Sequence, residues 1–220
     1  MTSLLLALSG CSKSTTAVQP AVTDPAPPPN TPAMATTRIA WDWNRRDPSC
    51  LDRVTADFEF VFASGDSAAQ RWQGVPWTRE VESIALQRMF DRSTQSPRLV
   101  SISLTSDRAP VTLPDPRPGK NPRFHKIVRT QLGVLADLDM GSGTLERRVI
   151  NGSALFFFVR GDSAAIPHDL VERGVRPDST VWWLQRWEDE TLGSGMAMHP
   201  NPAMSFTLGG LKSVFVPLMR

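Results

Sequence analysis

Leu145 to Arg160 reads LERRVINGSALFFFVR, and the fold turns on its second half. Leu155, Phe156, Phe157, Phe158 and Val159 are consecutive. Strand side chains alternate between faces, so such a run is stable only where both faces are covered. A buried helix can carry the same composition. The flanking turn signals, Gly141-Ser142-Gly143 and Gly161-Asp162, favour a central strand instead. On this reading Phe157→Asp buries an unpaired charge and abolishes soluble folding.

Upstream, Phe124 to Met140 alternates. Val128, Leu132, Val134, Ala136 and Leu138 fall on one face, while His125, Arg129, Gln131, Asp137 and Asp139 fall on the other. This predicts a long two-faced strand, bent or bulged at Gly133 and joined to the central strand by a hairpin at 141–143. Val100, Ile102 and Leu104 alternate with polar residues and predict a half-buried strand. Five prolines in 110–123 read as a loop, and 161–180 as a polar excursion before a last strand at Val181 to Trp187.

In the amino-terminal half, Ile39 and Trp43 suggest a helix ending near Arg46. Asp47-Pro48 starts a second, with Leu51 and Val54 on one face. Phe58 to Phe62 alternates as a strand, closed by Ser64-Gly65-Asp66. Thr78 then caps a helix to about Arg92, whose stripe is Val81, Ile84, Ala85, Met89 and Phe90. The pentapeptide Gly65-Asp66-Ser67-Ala68-Ala69 recurs as Gly161-Asp162-Ser163-Ala164-Ala165, which two similar turns explain better than a repeated domain.

The chain has 220 residues, enough for one domain with appendages. Its 24 Lys plus Arg nearly balance 22 Asp plus Glu, and the net charge of +2 is scattered, which argues against a nucleic-acid partner. Seven Trp and ten Phe accompany no Tyr, so no mechanism can use a tyrosine phenol as acid or oxyanion donor. No run reaches the roughly 18 apolar residues of a bilayer span. Cys50 reads as a small buried residue, with a nucleophile as the alternative.

Residues 1–11, MTSLLLALSGC, hold a short apolar run and then small residues before Cys11. Leu8-Ser9-Gly10-Cys11 resembles the lipobox of bacterial lipoproteins. The resemblance implies cleavage before Cys11, lipid on its sulfur and acylation of the new amino terminus, and so anchoring to the membrane of the cell envelope. No Lys or Arg precedes the apolar run, which an upstream start codon would account for. Ser12, not Asp, favours the outer membrane by resemblance to sorting in enteric bacteria. Residues 12–37 are rich in Pro, Thr and Ala and read as an extended tether, leaving 38–220 as the folded domain.

Helix, helix, strand, helix and then antiparallel strands is the order of the folded part. With Asn44-Arg45-Arg46-Asp47, Asp57-Phe58, Pro76-Trp77-Thr78-Arg79-Glu80 and Trp183-Leu184-Gln185-Arg186-Trp187-Glu188-Asp189, the chain resembles SnoaL-like domains of the nuclear transport factor two-like superfamily. The resemblance implies an α+β cone: a strongly curved antiparallel or mixed sheet wrapped around amino-terminal helices, often around a pocket, with a dimer as one known arrangement. The superfamily includes dehydratases, isomerases and epoxide hydrolases as well as domains without catalysis.

No catalytic motif of those enzymes can be laid onto the chain, and neither a cofactor motif nor metal-ligand spacing is present. His125, Arg129, Asp137 and Asp139 share a strand face, but at about 3.3 Å per residue His125 and Asp137 stand too far apart to cooperate. Trp182, Trp183 and Trp187 could line a pocket for a flat ligand or pack the core; Trp183, Trp187 and Arg129 are the candidate ligand-binding residues. The expected function is a non-catalytic envelope lipoprotein domain that binds a small molecule or a protein. The alternative is a small-molecule enzyme of the dehydratase or isomerase type.

Overall fold

A computed structural model describes residues 25–93, 97–141, 145–192 and 207–217. Helix α1, Pro32–Arg45, starts where Thr31 accepts the Met34 amide at 3.1 Å and Pro32 takes the first position. It stops where Arg46 turns left-handed at φ 53°. The helix therefore takes in residues 32–37, which composition alone assigns to the tether: a cap and an N-terminal proline outweigh the Thr/Ala-rich character. A 3-10 helix over Pro48–Arg53 follows, capped by Asp47.

Strand β1, Val54–Val61, leads to the short helix α2, Ser67–Arg71, then β2, Trp77–Thr78, and α3, Arg79–Phe90. Thr78 stands at the N-cap of α3, yet its hydroxyl donates to Glu80 instead of accepting an amide. On α3, Val81, Ala85, Met89 and Phe90 are buried as the stripe predicts, whereas Ile84 faces solvent. Glu82 takes an inward place that no apolar count would allot to it.

The remaining strands are β3 (Arg98–Ser106), β4 (Val111–Pro114), β5 (His125–Asp139), β6 (Leu145–Val159) and β7 (Trp183–Leu192). The sheet is mixed, curved and unclosed, in the order β2-β1-β7-β6-β5-β3 with β4 also on β5; β1 and β7 run parallel. Helices α1 and α3 contribute Trp43, Val81, Met89 and Phe90 to a core whose other wall is the sheet. The architecture is the α+β cone that the sequence predicts.

The β5–β6 hairpin holds one unbroken register, from His125 opposite Val159 to Asp139 opposite Leu145, so Gly133 is not a bulge. It is glycine for want of room: a Cβ there would lie 2.9 Å from Thr105 Oγ1. The turn residues 142–144 lie outside the described residues. Irregularities fall elsewhere. A register shift between Leu99 and Ser101 buries Leu99, leaves Val100 exposed and Ile102 half-buried, and keeps Leu104 inside, so the predicted stripe on β3 holds only at its end. The five-proline stretch is not wholly a loop, because β4 pairs with β5 at a sheet edge, where Pro114 withholds no needed amide.

Phe156 and Phe158 point into the main core; Phe156 lies 4.6 Å from Trp187 between ring centroids. Phe157 and Val159 point outward and are covered as well. The Arg117 guanidinium sits 4.5 Å over the Phe157 ring, and Val159 joins Ala165, Ile166, Leu170 and Trp183 in a second cluster. The segment 161–180 is thus more than polar. It carries a 3-10 turn and α4, His168–Glu172, whose Leu170 seals the outer face. Both GDSAA turns use one device, an Asp carboxylate accepting the amide two residues on: Asp66 from Ala68 at 2.8 Å, Asp162 from Ala164 at 3.0 Å.

Two aspartate substitutions separate these faces. Phe156→Asp places a charge among Trp187 and Phe158 and abolishes soluble folding. Phe157→Asp, which the sequence alone expects to abolish folding, places its charge beside Arg117 and so leaves a folded protein of lower melting temperature. Circular dichroism melts of the two variants check this; equal behaviour overturns the assignment of faces.

Candidate functional site

The interior of the cone is occupied by the chain itself. Helix α5, Leu208–Ser213, carries Lys212 into the core, where its side chain is 0% exposed. The Lys212 ammonium donates to Glu82 Oε1 at 2.7 Å, and Trp77 Nε1 donates to Glu82 Oε2 at 2.7 Å. Aromatic faces close around the cation. The nitrogen lies 3.9 Å from the Phe60 ring centroid, 4.0 Å from that of Trp187 and 5.6 Å from that of Trp43. Each ring presents a partly negative face, worth about 2 kcal/mol or more to a cation that has lost its water.

Two further acids hold the start of α5. Asp189, buried on β7, accepts the Gly209 amide at 2.9 Å through one oxygen and the Thr191 hydroxyl at 2.6 Å through the other. Thr191 Oγ1 accepts the Leu208 amide at 2.9 Å. Asp66 accepts the Thr207 hydroxyl, and Thr207 in turn caps α5 through the Gly210 amide. Gly209 cannot be larger, because a Cβ would lie 2.5 Å from the Phe62 ring. Only glycine lets the helix seat this closely.

Burial sets the proton affinities. It pushes the Lys212 ammonium below the usual lysine range, opposed chiefly by the Glu82 charge, and pushes Asp189 up against its hydrogen bonds from Thr191 and Gly209. Cys50 is buried and its thiol is driven well up, first by burial and then by the charge of Asp42. A nucleophilic thiolate is not what this setting favours. The chemistry available to Lys212, Glu82 and Asp189 in this arrangement is mutual neutralisation.

Surface cavities lie elsewhere. A crevice of about 20 Å³ is lined by Ala35, Asp42, Cys50, Phe158 and Trp182 among others. A cavity of about 70 Å³ lies between Arg88, Arg98 and Phe215, and a groove of about 470 Å³ runs past Asp52, Arg79, Asp169 and Arg173. Lys212, Glu82 and Asp189 line none of the three. Among the described residues no group of three or more His, Cys, Asp or Glu is placed to hold a metal.

Trp183 and Trp187, of equal parity on one strand, do not share a face. Gln185 is a bulge, unpaired between Arg186 opposite Phe157 and Leu184 opposite Phe158, so Trp187 turns inward and Trp183 outward. Trp182 returns to the inner core beneath Arg160. Arg129 is exposed on the outer face and pairs with Glu190 at 3.3 Å. The three candidate ligand-binding residues are not brought together. His125, Asp137 and Asp139 are likewise satisfied locally, by Asn121, by Arg147 with Ser101, and by Arg98. Cys11 lies outside the described residues.

Lys212 and Glu82 were not singled out in the sequence. The signal that could have found Lys212 is its isolation in Leu208 to Val216, a run otherwise without charge. Asp189 could have been found from its period-two alternation with Trp187.

No protein-family model matches the chain, and no curated protein matches it. Solved structures do. The chain is similar to a conserved protein from Planctomyces limnophilus, at 17% identity over 71% of this chain and 90% of that one, TM-score 0.44. It is similar to a putative scytalone dehydratase from Novosphingobium aromaticivorans, at 12% identity over 70% and 76%, TM-score 0.42. A nuclear transport factor 2 superfamily protein from Salmonella enterica serovar Typhimurium matches at 9% identity over 76% and 93%, TM-score 0.42.

Lys212→Met strands the Glu82 carboxylate and costs about 3–5 kcal/mol in urea unfolding, while adding Glu82→Gln, which still accepts from Trp77, recovers most of it. Asp42 gives a pH signature. Burial lifts its carboxyl from 3.8 to about 6, against the Arg38 hydrogen bond and charge. A raised folded-state value means the folded protein holds the extra proton. This contribution is complete below about pH 4 and is lost as pH rises through 6. Stability of wild type relative to Asp42→Asn should therefore fall by about 1–3 kcal/mol between pH 4 and 7, measured by urea unfolding.

Proposed function

We propose that this chain is a lipid-anchored bacterial envelope protein whose SnoaL-like domain binds a small molecule or a protein and carries out no catalysis. The observation that carries the non-catalytic part is the filled interior: Glu82 and Lys212 neutralise each other, and Asp189 is committed to α5. The lipobox Leu8-Ser9-Gly10-Cys11 and the tether behind it carry the anchor. An apolar strip on the outer face of the hairpin, with Leu135 paired to Val149 and Leu145 65% exposed, supports a protein partner.

The dehydratase or isomerase reading is supported by the two buried carboxylates of the cone, Glu82 and Asp189. It needs α5 to leave, and Lys212 with it, before a substrate can reach them.

Cys11→Ala tests the anchor. The variant should move from the membrane to the soluble fraction and lose labelling by a radioactive fatty acid; unchanged fractionation removes the lipoprotein reading.

A further inference from the structure

Lys212 is bound as a ligand would be. A carboxylate, three aromatic rings and complete exclusion of water surround one ammonium group. The helix that delivers it has six residues, two of them glycine, and so has little helical tendency of its own. What holds α5 is the set of contacts made by Thr207, Leu208, Gly209 and Lys212 to acids and hydroxyls of the cone, together with the burial of Leu208, Leu211 and Phe215. The receptor half is built on other elements: Phe60 on β1, Glu82 on α3, Trp187 on β7 and Trp43 on α1. None of these four belongs to the segment that supplies the cation.

We propose that the cone interior is a binding site for an unbranched primary alkylammonium, which the chain's own Lys212 occupies in this state. This names the ligand class of the binding reading above and rests on it. A free amine and Lys212 are alternative occupants of one cage. A neutral molecule of the same shape leaves the Glu82 carboxylate unpaired, and an anion is repelled by it. Specificity is for the charge and for a head group small enough to lie against both Phe60 and Trp187.

Lys212→Ala in the full chain removes the four atoms that n-propylammonium would restore. Propylammonium chloride should raise the melting temperature of this variant by several degrees, in a saturable way. Sodium chloride and 1-propanol at the same concentration should not, and wild type should shift far less because its site is full. Adding Glu82→Gln should abolish the response. The idea is overturned if Lys212→Ala ignores propylammonium, if 1-propanol serves equally, or if wild type shifts as much. Should Lys212→Ala not fold alone, refolding with propylammonium must restore soluble protein. Failure there also overturns it. Cys11→Ala tests the anchor alone: an absent propylammonium response leaves the anchor standing, and unchanged fractionation leaves the ammonium site standing.

Discussion

One buried ammonium sets the terms for the rest of the molecule. Taking Lys212 and Glu82 out of water costs several kcal/mol per ion, and their attraction offsets this only where further partners satisfy both groups. The fold provides those partners. Trp77 completes Glu82 from β2, and rings from β1, β7 and α1 surround the cation. Elements from α1 to β7 must therefore be in place together, which ties α5 to the helices and strands of the amino-terminal half. Loss of either charged partner is felt throughout, whereas a matched apolar pair of the same shape could be nearly neutral.

The hairpin of β5 and β6 solves the opposite problem, apolar surface on both sides of one strand. Its inner face meets the aromatic cluster of Trp187, Phe60 and Trp43, and its outer face is roofed by Arg117 and by the turn and helix over Ser163–Glu172. Arg117 is itself fixed by Asp115 and Gln185, the bulged residue of β7. One local irregularity thus does two things. It divides Trp183 from Trp187, and it presents a polar group to the lid over Phe157.

Much of the architecture was legible because its signals are local. Alternation marked β5, the run at Leu155–Val159 marked the two-sided strand, and Asp47-Pro48 marked a helix start. The misses share a physical origin. Pairing geometry exposed Val100, seated β4 among prolines and split Trp183 from Trp187, and register is a property of two strands that neither strand spells out. The interior was missed for a related reason. Nothing local marks Lys212 and Glu82 as partners, since each is costly to bury alone and their positions are 130 apart. Only the assembled fold makes them partners. The same holds for Asp66, which as a turn residue was visible, and as the anchor of Thr207 was not.

The parallel pairing of β1 with β7 has a consequence for how the molecule comes into being. Val54 lies against Leu184 and Val61 against Glu188, so the first strand made waits for almost the last. A chain emerging from a ribosome carries Val54–Val61 with only the two-residue β2 as neighbour until the far end arrives. Closing so large a loop is slow, because its entropy is lost before the contacts repay it. Val54–Val61 therefore gains its second neighbour only after the chain has been made as far as Glu188.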